Sequence, residues 1–192
     1  MPYTWYHIGF AVLLFSLIPY IDPIAIILGT VLIDIEGVLY LLFKIGVEHG
    51  YSHSLLGVMI YCLPCVFFSW LFYFVLGKIT KRSYNFKWYL SLISGIVGLL
   101  SHIFFDGSLY PEMKVLYPFS KNTGLLYGLM SYRTAVIILT VMFFGGILIL
   151  LVKIILKNKI KIIKMIFYNF PPKVTDVQET KILEESAIQS DV

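Results

Sequence analysis

Apolar residues fill five long runs of this chain, about 4–20, 23–43, 54–77, 88–108 and 132–156, separated by shorter polar or turn-rich stretches. A bilayer span needs roughly 20 mostly apolar residues, so the pattern predicts an all-α polytopic transmembrane bundle of about five spans. Pro19 and the Asp22-Pro23 pair predict a turn between the first two runs. The first run has no basic leading stretch and no clear small-residue cleavage site, so it reads as a retained span, not a removed signal peptide. Residues 157–170 put Lys157, Lys161 and Lys164 on one helical face, with Ile, Met and Phe on most of the rest. That suits either a helix lying in the headgroup layer or a frayed extension of the fifth span. Pro171-Pro172 stops any helix, and the polar tail beyond is expected to be disordered. The organisation predicted is a bundle over 1–156, a basic interfacial helix over 157–170 and a tail over 171–192.

Composition settles the class. The 192 residues are 59% hydrophobic and 14% charged, with a mean hydropathy of +0.86. A soluble surface needs about 25% charged residues, so a soluble domain is excluded. The net charge of +4 gathers beside the apolar runs, which suits anionic lipid headgroups at the basic C-terminal segment; no nucleic acid partner is expected. One basic cluster, Lys78, Lys81, Arg82 and Lys87, lies between the third and fourth runs, and a second spans Lys153 to Lys164. The positive-inside rule puts both in the cytoplasm. In the cell membrane the N-terminus is then outside and the C-terminus inside, with the 44–52 and 109–131 loops outside.

Every histidine lies in or beside an apolar run: His7, His49, His53 and His102, accompanied by Asp34 and Asp106. Ionisable groups are costly in a bilayer and seldom persist there without a task. Imidazoles and carboxylates are the ligands of zinc and other divalent ions. In the orientation above, His7, His53, His102 and Asp106 all fall at outer ends of runs, and Asp34 lies ~13 Å deep from the same side. All five can therefore meet in the outer half of the bundle, where they are the candidate metal ligands. His102 and Asp106 are four apart, so one helical face carries both, as a ligand pair or as a plain hydrogen-bonded pair.

Asp34 and Glu36 are two apart, about 200° around a helix, and can serve one site only if the helix breaks. Gly29 and Gly37 make such a break plausible. In Glu48-His49-Gly50-Tyr51-Ser52-His53-Ser54, Gly50 permits a turn and the polar side chains can cap the next helix. His49 reads either as a solvated loop residue or as an assisting acid or base. Cys62-Leu-Pro-Cys65 lies inside an apolar run and reads as packing beside Pro64, without redox chemistry.

Taken in order, His7, Leu32-Ile33-Asp34-Ile35-Glu36, His49-Gly50-Tyr51-Ser52-His53-Ser54-Leu55-Leu56, Leu100-Ser101-His102-Ile103-Phe104-Phe105-Asp106, Pro111 and Leu116-Tyr117-Pro118 resemble the membrane-bound, metal-dependent hydrolase family called YdjM-like. The pattern departs at Ile33, where that family has proline, at Glu36 for its second aspartate, at Gly37 where a histidine often follows, and at His49 for an arginine. The order of ligands is also similar to that of zinc-dependent phospholipases C, a likeness in which Asp34, His53, His102 and Asp106 would hold one ion as the main site and Asp106 would bridge to a second ion held by His7. The resemblance implies hydrolysis of a phosphate ester of a membrane lipid or polyprenyl substrate. The cofactor it implies is one or two divalent ions, zinc expected and manganese the other option. Glu36 and His49 are then the candidate acid and base. The competing expectation is a metal- or proton-coupled transporter using the same His/Asp set, and a third is a member that keeps the metal for stability alone. Transporters often carry paired repeats, and none is visible here.

Overall fold

The structure, a computed structural model, describes residues 4–44 and 50–156; His49, the expected interfacial helix 157–170 and the tail 171–192 lie outside the described residues. The described residues form α1 (Thr4–Leu17), α2 (Pro23–Val31), α3 (Ile35–Phe43), α4 (Leu55–Thr80), α5 (Trp88–Leu109) and α6 (Tyr132–Leu156). No strand occurs among them. Three-residue 3-10 turns at Leu32–Asp34 and Tyr51–His53 precede α3 and α4.

Four stretches are long and apolar enough to cross a bilayer: Pro23–Phe43, Leu55–Thr80, Trp88–Leu109 and Tyr132–Leu156. The first expected span differs. α1 has 14 residues, ~21 Å of helix against a hydrocarbon core of ~30 Å. It stops at Leu17 because Pro19 cannot continue a helix and disfavours helical geometry in the residue before it. α4 instead runs unbroken through Pro64 to Thr80, beyond its apolar run.

Small residues decide which helices touch. A side chain at Gly29 on α2 would overlap the Gly95 carbonyl of α5 and come within 3.1 Å of the Gly98 Cα. Added bulk at Gly146 on α6 would lie 2.8 Å from the Leu13 Cα of α1. In lipid, where burial in a neighbour competes with burial in acyl chains, such backbone approach is a main source of helix association. The α2/α5 contact matters most here, because it brings the Thr30 and Asp34 end of one helix beside His102 of the other.

The turn expected at Asp22-Pro23 is also a polar knot. Asp22 is fully buried and caps α2, its Oδ1 accepting from the backbone N–H of Ile24 (3.0 Å) and Ala25 (3.2 Å). Oδ1 also takes the Tyr73 hydroxyl (3.2 Å), while Oδ2 takes the hydroxyls of Ser69 (2.5 Å) and Ser91. Three helices are tied together by one carboxylate. Asp22→Ala leaves these hydroxyls and two amides without an acceptor, at about 1–3 kcal/mol for each group left unpaired. A loss of more than about 3 kcal/mol is expected, read as a lower unfolding temperature in detergent, with Asp22→Asn losing less because it keeps one acceptor oxygen.

At the opposite end, Ser54 caps α4, its hydroxyl accepting from the Gly57 N–H at 3.4 Å. Two more orphan amides of that helix, those of Leu55 and Leu56, donate to the carbonyls of Val115 (2.9 Å) and Tyr117 (3.0 Å). The long 110–131 connection is thereby fastened over this end of the bundle, with Met113 and Val115 buried under it. Between the two ends lies an apolar layer that includes Ile33, Cys62, Cys65 and Leu99. The two cysteines are free and buried within it, as packing residues would be.

Candidate metal centre

The cluster is built by a discontinuity. The 3-10 turn over Leu32–Asp34 separates α2 from α3, turns Asp34 into the bundle at 3% exposure and leaves Glu36 half-buried toward the following turn. Gly50 and the Tyr51–His53 turn meet it there: a side chain on Gly50 would occupy the space taken by the Glu36 carboxylate. His53 enters from the start of α4, and His102 with Asp106 from the last turns of α5, all three at or below 6% exposure.

Four ligand atoms, one each from Asp34, His53, His102 and Asp106, lie within 4.8 Å of one another. Asp34 Oδ1 is 3.2 Å from His53 Nε2 and 3.2 Å from His102 Nε2. Asp106 Oδ2 is 3.2 Å from His102 Nε2 and 3.9 Å from His53 Nε2. Donors ~2.0–2.1 Å from a tetrahedral zinc ion stand ~3.3 Å apart. The spacing fits.

Hydrogen-bond accounting assigns the tautomers. His102 Nδ1 is 2.8 Å from the carbonyl oxygen of Thr30, an acceptor, so Nδ1 carries the proton and donates. The neutral ring then presents a lone pair at Nε2, which is buried and makes a hydrogen bond with neither carboxylate. His53 follows the same logic one step further out. The Ser52 hydroxyl donates its proton to Glu36 Oε2, while the Ser52 N–H reaches the same oxygen at 3.2 Å. Ser52 Oγ is therefore the acceptor for His53 Nδ1 at 3.0 Å, and His53 Nε2 lies within hydrogen-bond distance of Asp34 Oδ1, at 3.2 Å. The Nε2 of His102, buried against two carboxylate oxygens with no hydrogen bond to either, is an atom that a cation shared with those carboxylates would satisfy. Outer hydrogen bonds from the second ring nitrogen to a carbonyl or a carboxylate system are the usual support of metal-ligating histidines.

His7, from α1, stands just outside this set. Its Nε2 is 3.1 Å from Asp106 Oδ1, the oxygen that the four-atom group leaves over, and its ring stacks on His102 with centroids 4.0 Å apart. All five residues expected from the sequence as ligands thus converge, four as one group and His7 against it. Glu36 arrives through Ser52, outside the four-atom group, made possible by the helix break its position required. Ser52 and the Thr30 carbonyl were not legible as parts of the site. A hydroxyl directly before His53 is a faint signal for the first, and a backbone carbonyl gives none for the second. Ser52→Ala should weaken metal binding by roughly 10-fold to 100-fold, the range for lost outer-shell partners, measured by competition with a chelating dye.

Over residues 2–170, which include every residue of this cluster, the chain matches the family of YdjM inner membrane proteins. The chain belongs to that family. Neither a curated protein nor a solved structure matches it. The likeness to zinc-dependent phospholipases C therefore stands on ligand order alone. Family membership makes this an inner membrane protein, in keeping with its four apolar helices of spanning length.

Proposed function

We propose that this chain is a membrane-embedded, metal-dependent hydrolase acting on a phosphate ester of a lipid or polyprenyl substrate. The single observation that carries the metal part is the group of four buried ligand atoms, one each from Asp34, His53, His102 and Asp106, within 4.8 Å of one another. A divalent ion held there, zinc by the donor set, would supply a Lewis acid for a phosphoryl or acyl oxygen and would acidify water near neutral pH. His7 holds the free oxygen of Asp106 and so fixes the carboxylate's orientation. In a two-ion arrangement the same His7–Asp106 pair would hold the second ion.

The protein groups around the cluster have separable tasks. Thr30 and Ser52 fix the two imidazoles. Glu36 fixes Ser52 and is the nearest carboxylate outside the ligand group, which suits it to accept or return a proton along Glu36–Ser52–His53. His49, its companion in that role, lies outside the described residues. Burial of the cluster among apolar helices favours an amphiphilic substrate, and the family likeness favours a phosphate ester. The two basic clusters support an N-out, C-in orientation, with the His/Asp cluster toward the outer leaflet.

Ion transport with the same residues is the rival reading. It requires a polar route across the bundle, yet Ile26 on α2, Cys62 and Cys65 on α4 and Leu99 on α5 are buried between the cluster and the Asp22 knot. The deciding experiment is turnover of diacyl, diether and polyprenyl phosphates by the metal-loaded protein in detergent, run beside metal flux into sealed vesicles. Flux without turnover would overturn the hydrolase.

A further inference from the structure

We propose that the bundle end opposite the His/Asp cluster binds one anionic diacyl phospholipid, in a groove between the last turns of α4 and the returning segment 82–86. α4 has 26 residues, ~39 Å of helix, which exceeds the ~30 Å hydrocarbon core, so its final turns stand at headgroup level. The helix stops at Lys81 in the left-handed conformation (φ 52°), and the Arg82 N–H donates to the Gly77 carbonyl at 3.1 Å. Gly77 is needed for this closure, since a Cβ there would lie 2.8 Å from the Arg82 carbonyl oxygen. The chain then doubles back, and the rings of Tyr84 and Phe86 each stand 6.2 Å from that of Tyr73.

The groove so formed has a volume of about 310 Å³ and is lined on one side by Trp70, Phe74 and Lys78, one turn apart on α4, and on the other by Arg82, Tyr84 and Phe86. Trp70 and Phe74 stack at 5.5 Å and are 43% and 46% exposed, an apolar track that leads to the cations. Lys78 Nζ stands 4.6 Å over the Phe74 ring. No Asp or Glu occurs anywhere between residues 49 and 105, and among the described residues no carboxylate pairs with Lys78 or Arg82. The one carboxylate behind the groove, Asp22, is fully buried and occupied by Ser69, Tyr73 and Ser91.

Two cations that no described carboxylate pairs with, above an exposed aromatic track, match a ligand with an anionic head and an acyl chain. An ammonium and an arginine fork suit a phosphodiester. A zwitterionic headgroup would bring its ammonium to a surface that offers it no acidic partner among the described residues. An anionic lipid is the occupant that satisfies both parts of the groove.

The test uses the full chain with Trp5→Phe and Trp88→Phe, so that Trp70 is the remaining tryptophan, in vesicles containing phosphatidylglycerol or phosphatidylcholine with brominated acyl chains. Basic residues near a membrane surface are each worth roughly fivefold for anionic lipid. Quenching should therefore half-saturate at a roughly tenfold or more lower mole fraction of the glycerol lipid than of the choline lipid. Lys78→Gln with Arg82→Gln should bring the two lipids to within about twofold. Lys44→Gln, at the other end of the bundle, should leave the preference intact. Equal quenching by both lipids in the starting protein, a preference that survives in the double variant, or one that Lys44→Gln abolishes, would overturn the site. Loss of the preference in inorganic phosphate, but not in sodium chloride of equal ionic strength, would replace the lipid with a free anion.

Discussion

Asp106→Asn empties the metal centre: ion content, measured by elemental analysis of the purified protein, falls from about one per chain to under about a tenth. Asp106 is the costliest ligand to change because both its oxygens are committed, Oδ2 to the cluster at 3.2 Å from His102 Nε2 and Oδ1 to His7 at 3.1 Å. An amide offers one acceptor oxygen in place of two, and its N–H₂, turned toward His102 Nε2, would hydrogen-bond the lone pair that the ion would otherwise use. It also removes a negative charge from a buried group whose cohesion depends on a cation. His102→Gln should behave similarly. His7→Gln, which disturbs only the support of Asp106, should cost roughly tenfold in affinity and leave the ion in place at saturating metal. Full occupancy in Asp106→Asn would remove that residue from the ligand set. A fall from two ions to one in His7→Gln would instead establish the two-ion arrangement.

Chelation of the metal-loaded protein should abolish the proposed phosphate-ester turnover, and zinc or manganese should restore it. Several kcal/mol of transition-state stabilisation leave with the ion, a rate loss of roughly a thousandfold or more. The rate should climb with pH through a limb near neutrality, because the attacking water must give up its proton. His102→Gln serves as the blank. Glu36→Gln is the informative variant: it keeps the hydrogen-bonding shape beside Ser52 but cannot take up a proton, so it should retain most of the metal and lose rate. If it loses metal and rate in the same proportion, Glu36 only holds Ser52 in place. If the unmodified protein turns over no phosphate ester faster than the blank, the hydrolase is wrong.

The helices and the convergence of the buried His and Asp residues were readable because their signals are local and strong. Runs of 20 apolar residues leave few alternatives, and a histidine or aspartate inside one calls for a partner. Asp34 and Glu36 even required a break in their helix, which Leu32–Asp34 supplies. What stayed hidden depends on packing between segments distant in sequence. The hydroxyls of Ser69, Tyr73 and Ser91 look like ordinary polar groups in apolar helices until the packing of α4 and α5 against the start of α2 brings them to Asp22. The Thr30 carbonyl has no signature of its own in the sequence. The length of α1 was overestimated for a plainer reason: residues 18–20 are apolar enough to extend a span, but the backbone at Pro19 cannot carry the helix through them.

The fastening of the 110–131 connection bears on how a molecule could reach the cluster. Lifting that roof would strip the Leu55 and Leu56 amides of the carbonyls of Val115 and Tyr117 and expose Met113 and Val115. At about 1–3 kcal/mol for each orphaned amide and a similar sum for each side chain, the cost is of order 4 kcal/mol or more. The roof would then stand open in about one molecule per thousand at most. Arrival from water through the top is a rare event, whereas molecules already dissolved among the acyl chains meet the helices continually from the side. The quantity that governs supply is then the mole fraction in the surrounding leaflet rather than the bulk concentration, and dilution with inert lipid should slow the protein even when total substrate is unchanged.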